Sequence, residues 1–564
     1  MTADKTHFDV IVLGTGLTES IVAGSLARAG KSVLHIDRNE FYGEHLASFD
    51  LINLLKVTNH GKEEDPFLSC YDEVELIFQS GGEEAKEAQM KEEVLKTNSV
   101  EATARDGGSD VEAKSDRKTE LADFLRDYPD MDAVFKATCG IDVEDTVLSH
   151  LTKSTADGES EPWMPKSWAL LELLRTSRQY NLELCPKLLY SRGGLVELLA
   201  KSGVGRYLEF KALDQIYLFW EGKVEQAPGS KEDVFGNQTV SLVDKRRLMK
   251  FLTFAMDYEE NEGLFDAFKG KPYQSFLQDQ KLSPRLIAFI LNATALVVER
   301  ETLVTLSTEE GLALTQRHLR SLGRWGKTAF LVALYGAGSE LSQAFCRLCA
   351  VYGGTYILKY PLSHISISSE SGPPVSVAAD DGTVYTASWV VTSSTYAKYF
   401  DPEHKLEAES QTVWRGIAIL DQPLYGQSTL NVTVFPPESI GNVQGVMATQ
   451  QSWDVSSCPK TKYVVHFQAS GPCCSREDIR KALVALTNDA PADAAKPTVL
   501  LAVLYRQTVR SCGTTWLNDS AVVCTPETAT PDLEQAPTVA RSIFDRIAPG
   551  EEFLPSVPDQ SEDM

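Results

Sequence analysis

The chain has 564 residues, a hydrophobic content of 43%, a net charge of −25 and a pI near 4.9. This length exceeds what one hydrophobic core organises, so we expect two domains with insertions. The strong negative charge argues against nucleic-acid binding and against direct docking on an anionic membrane.

Targeting and membrane segments are not expected. The sequence contains no apolar run of eighteen or more residues, so no membrane span is predicted. The first seven residues are polar, so no signal peptide is predicted. Ten cysteines occur without a disulfide framework, which favours a reducing cytosol.

The N-terminal stretch is typical of the first unit of a dinucleotide-binding fold. It predicts a buried strand, a glycine turn, a helix and a second strand: Val10–Leu13, Gly14 with Gly16, Ser20–Ala29 and Val33–Ile36. Asp37 ends the second strand, where an acid would hold a ribose hydroxyl. The predicted fold class is therefore α/β, with an FAD- or dinucleotide-binding-like main domain.

Glu19 stands where the glycine-rich motif requires its third glycine. That position faces the pyrophosphate site at the helix N-terminus, where the partial positive charge favours an anion. A glutamate there brings bulk and a competing negative charge. The sequence thus favours a flavoprotein scaffold with its cofactor site closed, and we expect no bound cofactor.

The segment 79–120 differs in composition from its surroundings. It holds no aromatic residue, eleven acidic and seven basic residues, and two glycine pairs. Such a segment buries too little apolar area to fix one structure, so we interpret it as a flexible acidic insertion.

Helical patterns dominate the middle of the chain. They predict helices at Asp244–Tyr258, Tyr273–Gln278, Ser283–Val297 and Glu309–Leu322. Ser283 followed by Pro284 is typical of a helix start. From Trp325 onward mixed α/β patterns return, including a predicted helix at Gln343–Tyr352. We therefore predict an all-helical domain at 229–323, inserted into a discontinuous main domain of 1–228 and 324–564.

Catalytic and metal-binding motifs are not apparent in the sequence. None of the nine histidines belongs to a zinc-ligand pair, and neither a Walker A loop nor a nucleophile elbow occurs. Cys346 and Cys349 have zinc or redox spacing, but no second pair matches them, which favours buried reduced thiols. The residues by themselves support a binding protein on a nucleotide-binding scaffold, with no catalytic and no metal site.

Several motifs together resemble the Rab GDP-dissociation inhibitor superfamily. They are Asp9–Glu19, His35–Asn39, Tyr42-Gly43, Leu334–Gly336 and Tyr352–Tyr356, and that superfamily itself carries the glutamate of Glu19. Further motifs resemble the Rab escort proteins, namely Lys187–Gly194, Val224–Pro228, Asp233–Phe235 and Lys245–Phe254. The resemblance covers most of the chain outside about 72–165.

The resemblance implies a non-catalytic accessory component, component A, of Rab geranylgeranyltransferase. Such a protein binds newly made, GDP-bound Rab and presents it to the catalytic αβ heterodimer. It then shields the geranylgeranyl lipid carried by Rab and delivers the GTPase to membranes.

The resemblance also assigns site residues. Those for Rab binding are Tyr42, Glu340, Arg347, Thr355, Tyr356 and Ile357. Glu340 and Arg347 are seven residues apart, which places them on one face if the segment is helical. Three departures from the family pattern lie beside them: Ser339 is inserted, Ser342 replaces a proline, and Glu44 replaces a glycine.

Two further sets are implied on the helical domain. Phe235 and Arg246 match the contact with the transferase, and an aromatic at position 235 is absent from the inhibitors. Six apolar residues are candidates for lining a lipid groove: Phe251, Phe254, Leu286, Phe289, Ile290 and Leu296.

Two alternatives remain open at the level of sequence. One is a GDP-dissociation inhibitor that recycles Rabs already carrying lipid. The other is an FAD-dependent oxidoreductase of the amine-oxidase type, which an absorption spectrum would reveal.

Overall fold

The structure, a computed structural model, describes residues 5–58, 67–78, 120–139, 164–228, 240–367, 374–400, 409–487, 496–511, 514–524 and 529–556. The acidic insertion predicted at 79–120 lies outside these ranges apart from Glu120. Phe235 also lies outside them.

The strands of the described residues are numbered in chain order. They are β1 His7–Leu13, β2 Val33–Ile36, β3 Ser48–Phe49, β4 Tyr71–Phe78, β5 Leu182–Glu183, β6 Leu189–Tyr190, β7 Phe210–Ala212, β8 Gln215–Trp220, β9 Lys223–Gln226, β10 Phe330–Ala333, β11 Thr355–Ile357, β12 Leu362–Ile367, β13 Val375–Ala379, β14 Val384–Ser393, β15 Glu409–Leu420, β16 Asn431–Phe435, β17 Val446–Gln451, β18 Tyr463–Ser470, β19 Val499–Ser511, β20 Thr515–Trp516 and β21 Ala521–Cys524.

The helices named in this article are numbered in the same way. They are α1 Leu17–Arg28, α2 Leu51–Thr58, α3 Asp132–Cys139, α4 Met164–Arg175, α5 Gly194–Ser202, α6 Leu242–Met256, α7 Tyr273–Asp279, α8 Pro284–Ala288, α9 Arg300–Thr305, α10 Thr308–Ser321, α11 Ala337–Val351, α12 Arg476–Leu486 and α13 Gln535–Ile547.

The first sheet is built around β1 and has the strand order β11-β2-β1-β14-β13-β12, with β21 beside β14. The strands β11, β2, β1, β14 and β21 pair in parallel, and β13 and β12 continue antiparallel. The helices α1, α11 and α13 share a hydrophobic core against this sheet. The predicted strand–turn–helix–strand unit and the α/β fold class are confirmed.

A second, mostly antiparallel sheet has the order β4-β19-β15-β18-β17-β16-β8-β9. Two further, smaller sheets have the strand orders β6-β10-β7 and β3-β5. The pairing of β3 with β5 matters for the site, because it places Glu183 beside the start of α11.

Between β9 and β10 the described regular elements are helical. The helices α6 to α10 contribute to one hydrophobic core that includes Phe251, Tyr273, Phe276 and Leu312. The Tyr273 hydroxyl lies 2.8 Å from Thr315 Oγ1, so the phenol oxygen is satisfied inside this core.

The helix predicted at Ser283–Val297 is interrupted in the structure. It begins at Ser283 and Pro284 as expected, but α8 ends at Ala288 and a π-helical turn follows at Phe289–Thr294. The Asn292 side-chain amide donates to the Ala288 carbonyl at 3.0 Å, which is the carbonyl that the Asn292 backbone would use in a regular α-helix. The backbone stays helical at Ala288 and Phe289, so the predicted helix continues in the wider π hydrogen-bond register.

Gly311 in α10 tests the packing of the helical core. A Cβ at this position would overlap the ring of Tyr273. Alanine gains about 1 kcal/mol of helix propensity over glycine, but overpacking a filled core costs about 1–3 kcal/mol. We therefore expect Gly311→Ala to lower the unfolding temperature. Gly263→Ala, which has no neighbour within 4 Å of the added Cβ, is the matched control and should not lower it. An unfolding temperature of Gly311→Ala at or above that of the unmodified protein would contradict this packing.

Candidate functional site

The glycine turn after β1 leads into the N-terminus of α1, as the sequence predicts. Gly14 has φ of +97°, which a side chain would strain, and α1 begins directly after Gly16. Asp37 Oδ2 accepts hydrogen bonds from the Thr15 amide at 2.8 Å and the Thr15 hydroxyl at 2.6 Å. The predicted ribose-binding acid is thus engaged by the turn itself.

Two glutamates fill the space over this turn. A Cβ on Gly14 would overlap the Glu44 carboxylate, and a Cβ on Gly16 would overlap the Glu19 carboxylate. Both side chains are buried, and the Glu44 carboxylate accepts a hydrogen bond from the Ser393 hydroxyl at 2.9 Å. The sequence identified Glu19, but Glu44 appeared only as a departure from a family glycine.

The carboxyl groups of this cluster are buried close together, which disfavours their charged forms. Burial, with a further contribution from Asp37, raises the pKa of Glu19 to about 7. Burial, followed by the charges of Asp37 and Glu19, raises the pKa of Glu44 well above its usual value. Glu19 and Glu44 occupy the region where a pyrophosphate would bind, and Asp37 is engaged by Thr15. The residues present do not fit a dinucleotide cofactor.

Next to this closed turn, two tyrosine rings stack. Tyr42, on the loop after β2, lies with its ring centroid 5.8 Å from that of Tyr356 at an interplanar angle of 9°. The pairing of β11 with β2 places Tyr356 opposite His35, whose ring it meets edge-on at 5.1 Å. Gly43 holds the loop in place by donating to the Thr15 hydroxyl at 3.1 Å. The two rings are consequently fixed by the first sheet.

Helix α11 supplies two charged side chains next to the stacked tyrosine rings. Glu340 and Arg347 lie in α11 and, with Tyr42 and Tyr356, line a cavity of about 350 Å³. Burial raises the pKa of the half-buried Glu340, whereas Arg347 is exposed. The guanidinium of Arg347 lies 4.3 Å from the centroid of the Tyr207 ring. We call the residues Tyr42, Tyr207, Glu340, Arg347 and Tyr356 the platform.

Thr355 and Ile357 lie outside the cavity lining. Side chains alternate along a strand, so these two residues project to the side of β11 opposite Tyr356. Thr355 is exposed, and Ile357 packs against the core on its side of the first sheet. Four of the six predicted Rab-binding residues therefore line one cavity, and the other two lie on the opposite side of the same strand as Tyr356.

The start of α11 depends on a residue that sequence reasoning missed. The helix was expected from Gln343 but begins at Ala337, after Gly336 with φ of +105°. Glu183 from β5 caps it, because its carboxylate accepts from the Ala337 amide at 2.9 Å. Burial raises the pKa of Glu183 to about 7. The inserted Ser339 falls within the first turn of α11, where its hydroxyl lies 3.3 Å from the Gly336 carbonyl.

Tyr207 was likewise absent from the predicted site. It lies 140 positions before Arg347 in the chain, and neither hydrophobic periodicity nor a motif marks it. The contact between Tyr207 and Arg347 is visible only in the folded structure.

The transferase residues can be described in part. Arg246 is exposed on α6, whose first turn is capped by the Ser241 hydroxyl accepting from the Asp244 amide at 3.1 Å. Leu242 and Val243 on the same turn are 73% and 55% exposed. An outward-facing apolar pair beside a basic residue is typical of a protein-binding surface.

The six candidate lipid-lining residues do not form one set. One core, formed by helices α6 to α10, contains Phe251, Phe254, Leu286 and Ile290. Another core, shared with β8, β10 and β16, contains Phe289 and Leu296. A lipid bound among the first four residues would have to part helices that are packed together.

Other chemistry finds little support among the described residues. They contain no group of three or more histidine, cysteine or acidic residues placed to hold a metal ion. Cys346 and Cys349 are buried free thiols, and burial raises the pKa of each to about 12. Within the described ranges, no helix is both long and apolar enough to cross a membrane.

Comparison with known proteins identifies relatives along nearly the whole chain. The family model described as GDP dissociation inhibitor matches residues 4–71 and 169–480. The mouse protein named Rab proteins geranylgeranyltransferase component A 2 is 31% identical, over 98% of this chain and 97% of its own length. The component A protein of Drosophila melanogaster is 30% identical, over 99% of this chain and 91% of its own length.

Solved structures show the same fold. Rab GDI from Plasmodium falciparum aligns with a TM-score of 0.62 at 20% identity, covering 97% of this chain and 99% of its own. An oxidoreductase from Methanosarcina mazei aligns with a TM-score of 0.53 at 12% identity, covering 95% of this chain and 100% of its own. The family model spans more than half of the chain, and the relatives extend over nearly all of it. The chain therefore belongs to the GDP dissociation inhibitor family, in the branch of the Rab geranylgeranyltransferase component A proteins.

Proposed function

We propose that the chain is a Rab escort protein. It binds newly synthesised, GDP-bound Rab, presents it to the αβ heterodimer of Rab geranylgeranyltransferase, and carries the lipidated Rab to membranes. The observation that carries this proposal is the identity of 30–31% to component A proteins over nearly the full chain. In this role the chain works in the cytosol and catalyses no bond change itself.

The platform is the proposed contact with the folded GTPase. It combines stacked aromatic rings, which are rigid anchors for a protein interface, with an acid and an arginine on one helix face. Arginine forms charge-assisted hydrogen bonds with partner carboxylates, and an exposed guanidinium is available for them. Thr355 and Ile357 belong to the same proposal, but their side chains lie on the side of β11 opposite Tyr356 and do not join the platform.

The transferase and the lipid are assigned to the helical segment 229–323, and the GTPase to the domain formed by 1–228 and 324–564. Support for the transferase contact comes from the exposed Arg246 beside Leu242 and Val243. Support for lipid binding comes from the apolar core of the helical group, since each buried CH₂ contributes about 0.8 kcal/mol.

Two other functions are weighed against this one. A GDP-dissociation inhibitor shares the fold and would use the same platform, but it would not assemble with the transferase. An FAD-dependent oxidoreductase would need a phosphate site, and the buried Glu19 and Glu44 occupy that region.

An absorption spectrum tests the closed turn. We expect the purified protein to show no absorption of oxidised flavin in the visible range, because the side chains of Glu19 and Glu44 fill the space that a pyrophosphate needs. Flavin released by denaturation in an amount equal to the protein would contradict the closed site and support the oxidoreductase.

Arg347→Ala tests the platform. We expect binding of unprenylated, GDP-loaded Rab to weaken about tenfold, because about 1.4 kcal/mol is lost with one charge-assisted contact. The unfolding temperature should stay within about a degree, since Arg347 is exposed. Arg541→Ala, on the exposed face of α13, is the matched control for loss of one positive charge. Loss of folding together with normal binding by the remaining folded protein would place Arg347 in a structural role instead.

Phe235→Ala and Arg246→Ala test the transferase contact. Truncating an interface anchor typically costs about 2–4 kcal/mol of binding, so recruitment of the heterodimer should weaken about thirtyfold or more. Both variants should bind unprenylated Rab normally and fail to support its prenylation at limiting enzyme. Arg320→Ala on α10, which removes an exposed ion pair with Glu259, is the control within the helical segment. Normal prenylation by Phe235→Ala at low enzyme would favour the inhibitor function.

A further inference from the structure

The ring of Tyr207, which lines the platform cavity together with Arg347, lies near two arginines. Tyr207 ends the short 3₁₀ turn Val204–Tyr207 that follows α5. Its ring centroid is 5.1 Å from the guanidinium carbon of Arg206 and 4.3 Å from that of Arg347. Both arginines are exposed, while Tyr207 itself is half-buried.

The backbone of this turn is held firmly. Gly203 adopts φ of +75°, which turns the chain sharply after α5, and the following Val204 is fully buried. Arg28 on α1 donates to the Ser202 carbonyl at 3.0 Å and ties the turn to the first sheet's helix layer. Tyr207 packs against the core that α1 and α11 share. The ring is therefore a fixed support, unlike the arginines that lie on it.

An arginine side chain on a helix surface samples many rotamers, and ordering it on binding costs free energy. A ring beneath the guanidinium removes part of that cost in advance and adds a cation–π attraction. At an exposed site this attraction corresponds to about a two- to fivefold change in an equilibrium constant. The ring also leaves the edges of a guanidinium free to donate hydrogen bonds to a partner.

We propose that Tyr207 is a positioning residue whose ring orders the guanidinium groups of Arg347 and Arg206 for contact with acidic side chains of the bound GTPase. The inference rests on the proposed function and assigns Tyr207 and Arg206 to it. Two guanidinium groups near one ring, on a chain of net charge −25, give a local positive region that attracts carboxylates. The fixed ring makes this point geometrically defined.

The test measures binding of unprenylated, GDP-loaded Rab in a double-mutant cycle. Tyr207→Leu should weaken binding about three- to fivefold in the unmodified protein and less than twofold in the Arg347→Ala background. Tyr207→Phe keeps the ring and should bind within about twofold of the unmodified protein. Arg206→Ala, which leaves the core untouched, should weaken binding about twofold, and this loss should disappear in the Tyr207→Leu background.

Each contrary result has a distinct meaning. Equal weakening by Tyr207→Leu in both backgrounds would show that the ring acts through general stability and overturn the inference. A normal affinity of Tyr207→Leu, with Arg347→Ala still weakened, would also overturn it while leaving the platform intact. Should Tyr207→Leu fail to fold, Arg206→Ala and Tyr207→Phe test the inference. Normal binding by Arg206→Ala, or binding by Tyr207→Phe that is weakened by more than about twofold, would overturn it. Normal binding by Arg347→Ala would instead remove the proposed GTPase site itself.

Discussion

The constraint on which the molecule depends is the crowding of carboxylates at the turn after β1. Glu19 and Glu44 lie over Gly14 and Gly16, in the region where the fold would otherwise receive a pyrophosphate. Asp37 accepts hydrogen bonds from Thr15 in the turn, and the two glutamate side chains cover Gly14 and Gly16. The dinucleotide-binding scaffold is thereby closed, and its outer surface is what remains for function.

That outer surface is assembled from segments far apart in the chain. Register between β2 and β11 sets Tyr356 beside His35 and Tyr42, so the aromatic part follows directly from the first sheet. The charged part follows from α11, whose start is fixed by the Glu183 carboxylate on β5. The sheet and the cap together place the rings and the charges around one cavity.

The sequence predicts the features that are local. Alternating strand, glycine turn and helix define the first unit, and the spacing of Glu340 and Arg347 correctly predicts a shared helix face. Features that depend on packing were not predictable. The roles of Glu44, Glu183 and Tyr207 arise from contacts across many residues, which no spacing rule encodes.

Two local predictions also differ from the structure for reasons of hydrogen bonding. The hydrogen bonds change to the wider π register after Ala288, so α8 is shorter than its pattern indicates. The Glu183 cap allows α11 to begin six residues earlier than its hydrophobic pattern indicates. The candidate lipid residues divide between two cores because apolar character alone does not say which neighbour a side chain meets.

The central claim is that this chain makes Rab a substrate for the transferase. The direct measurement is transfer of labelled geranylgeranyl from its diphosphate to unprenylated, GDP-loaded Rab by the purified αβ heterodimer, with and without this chain. We expect transfer that depends on the chain and leaves the product in a complex with it. Absence of transfer, combined with extraction of already lipidated Rab from membranes by the same preparation, would contradict the account and identify an inhibitor that recycles Rab.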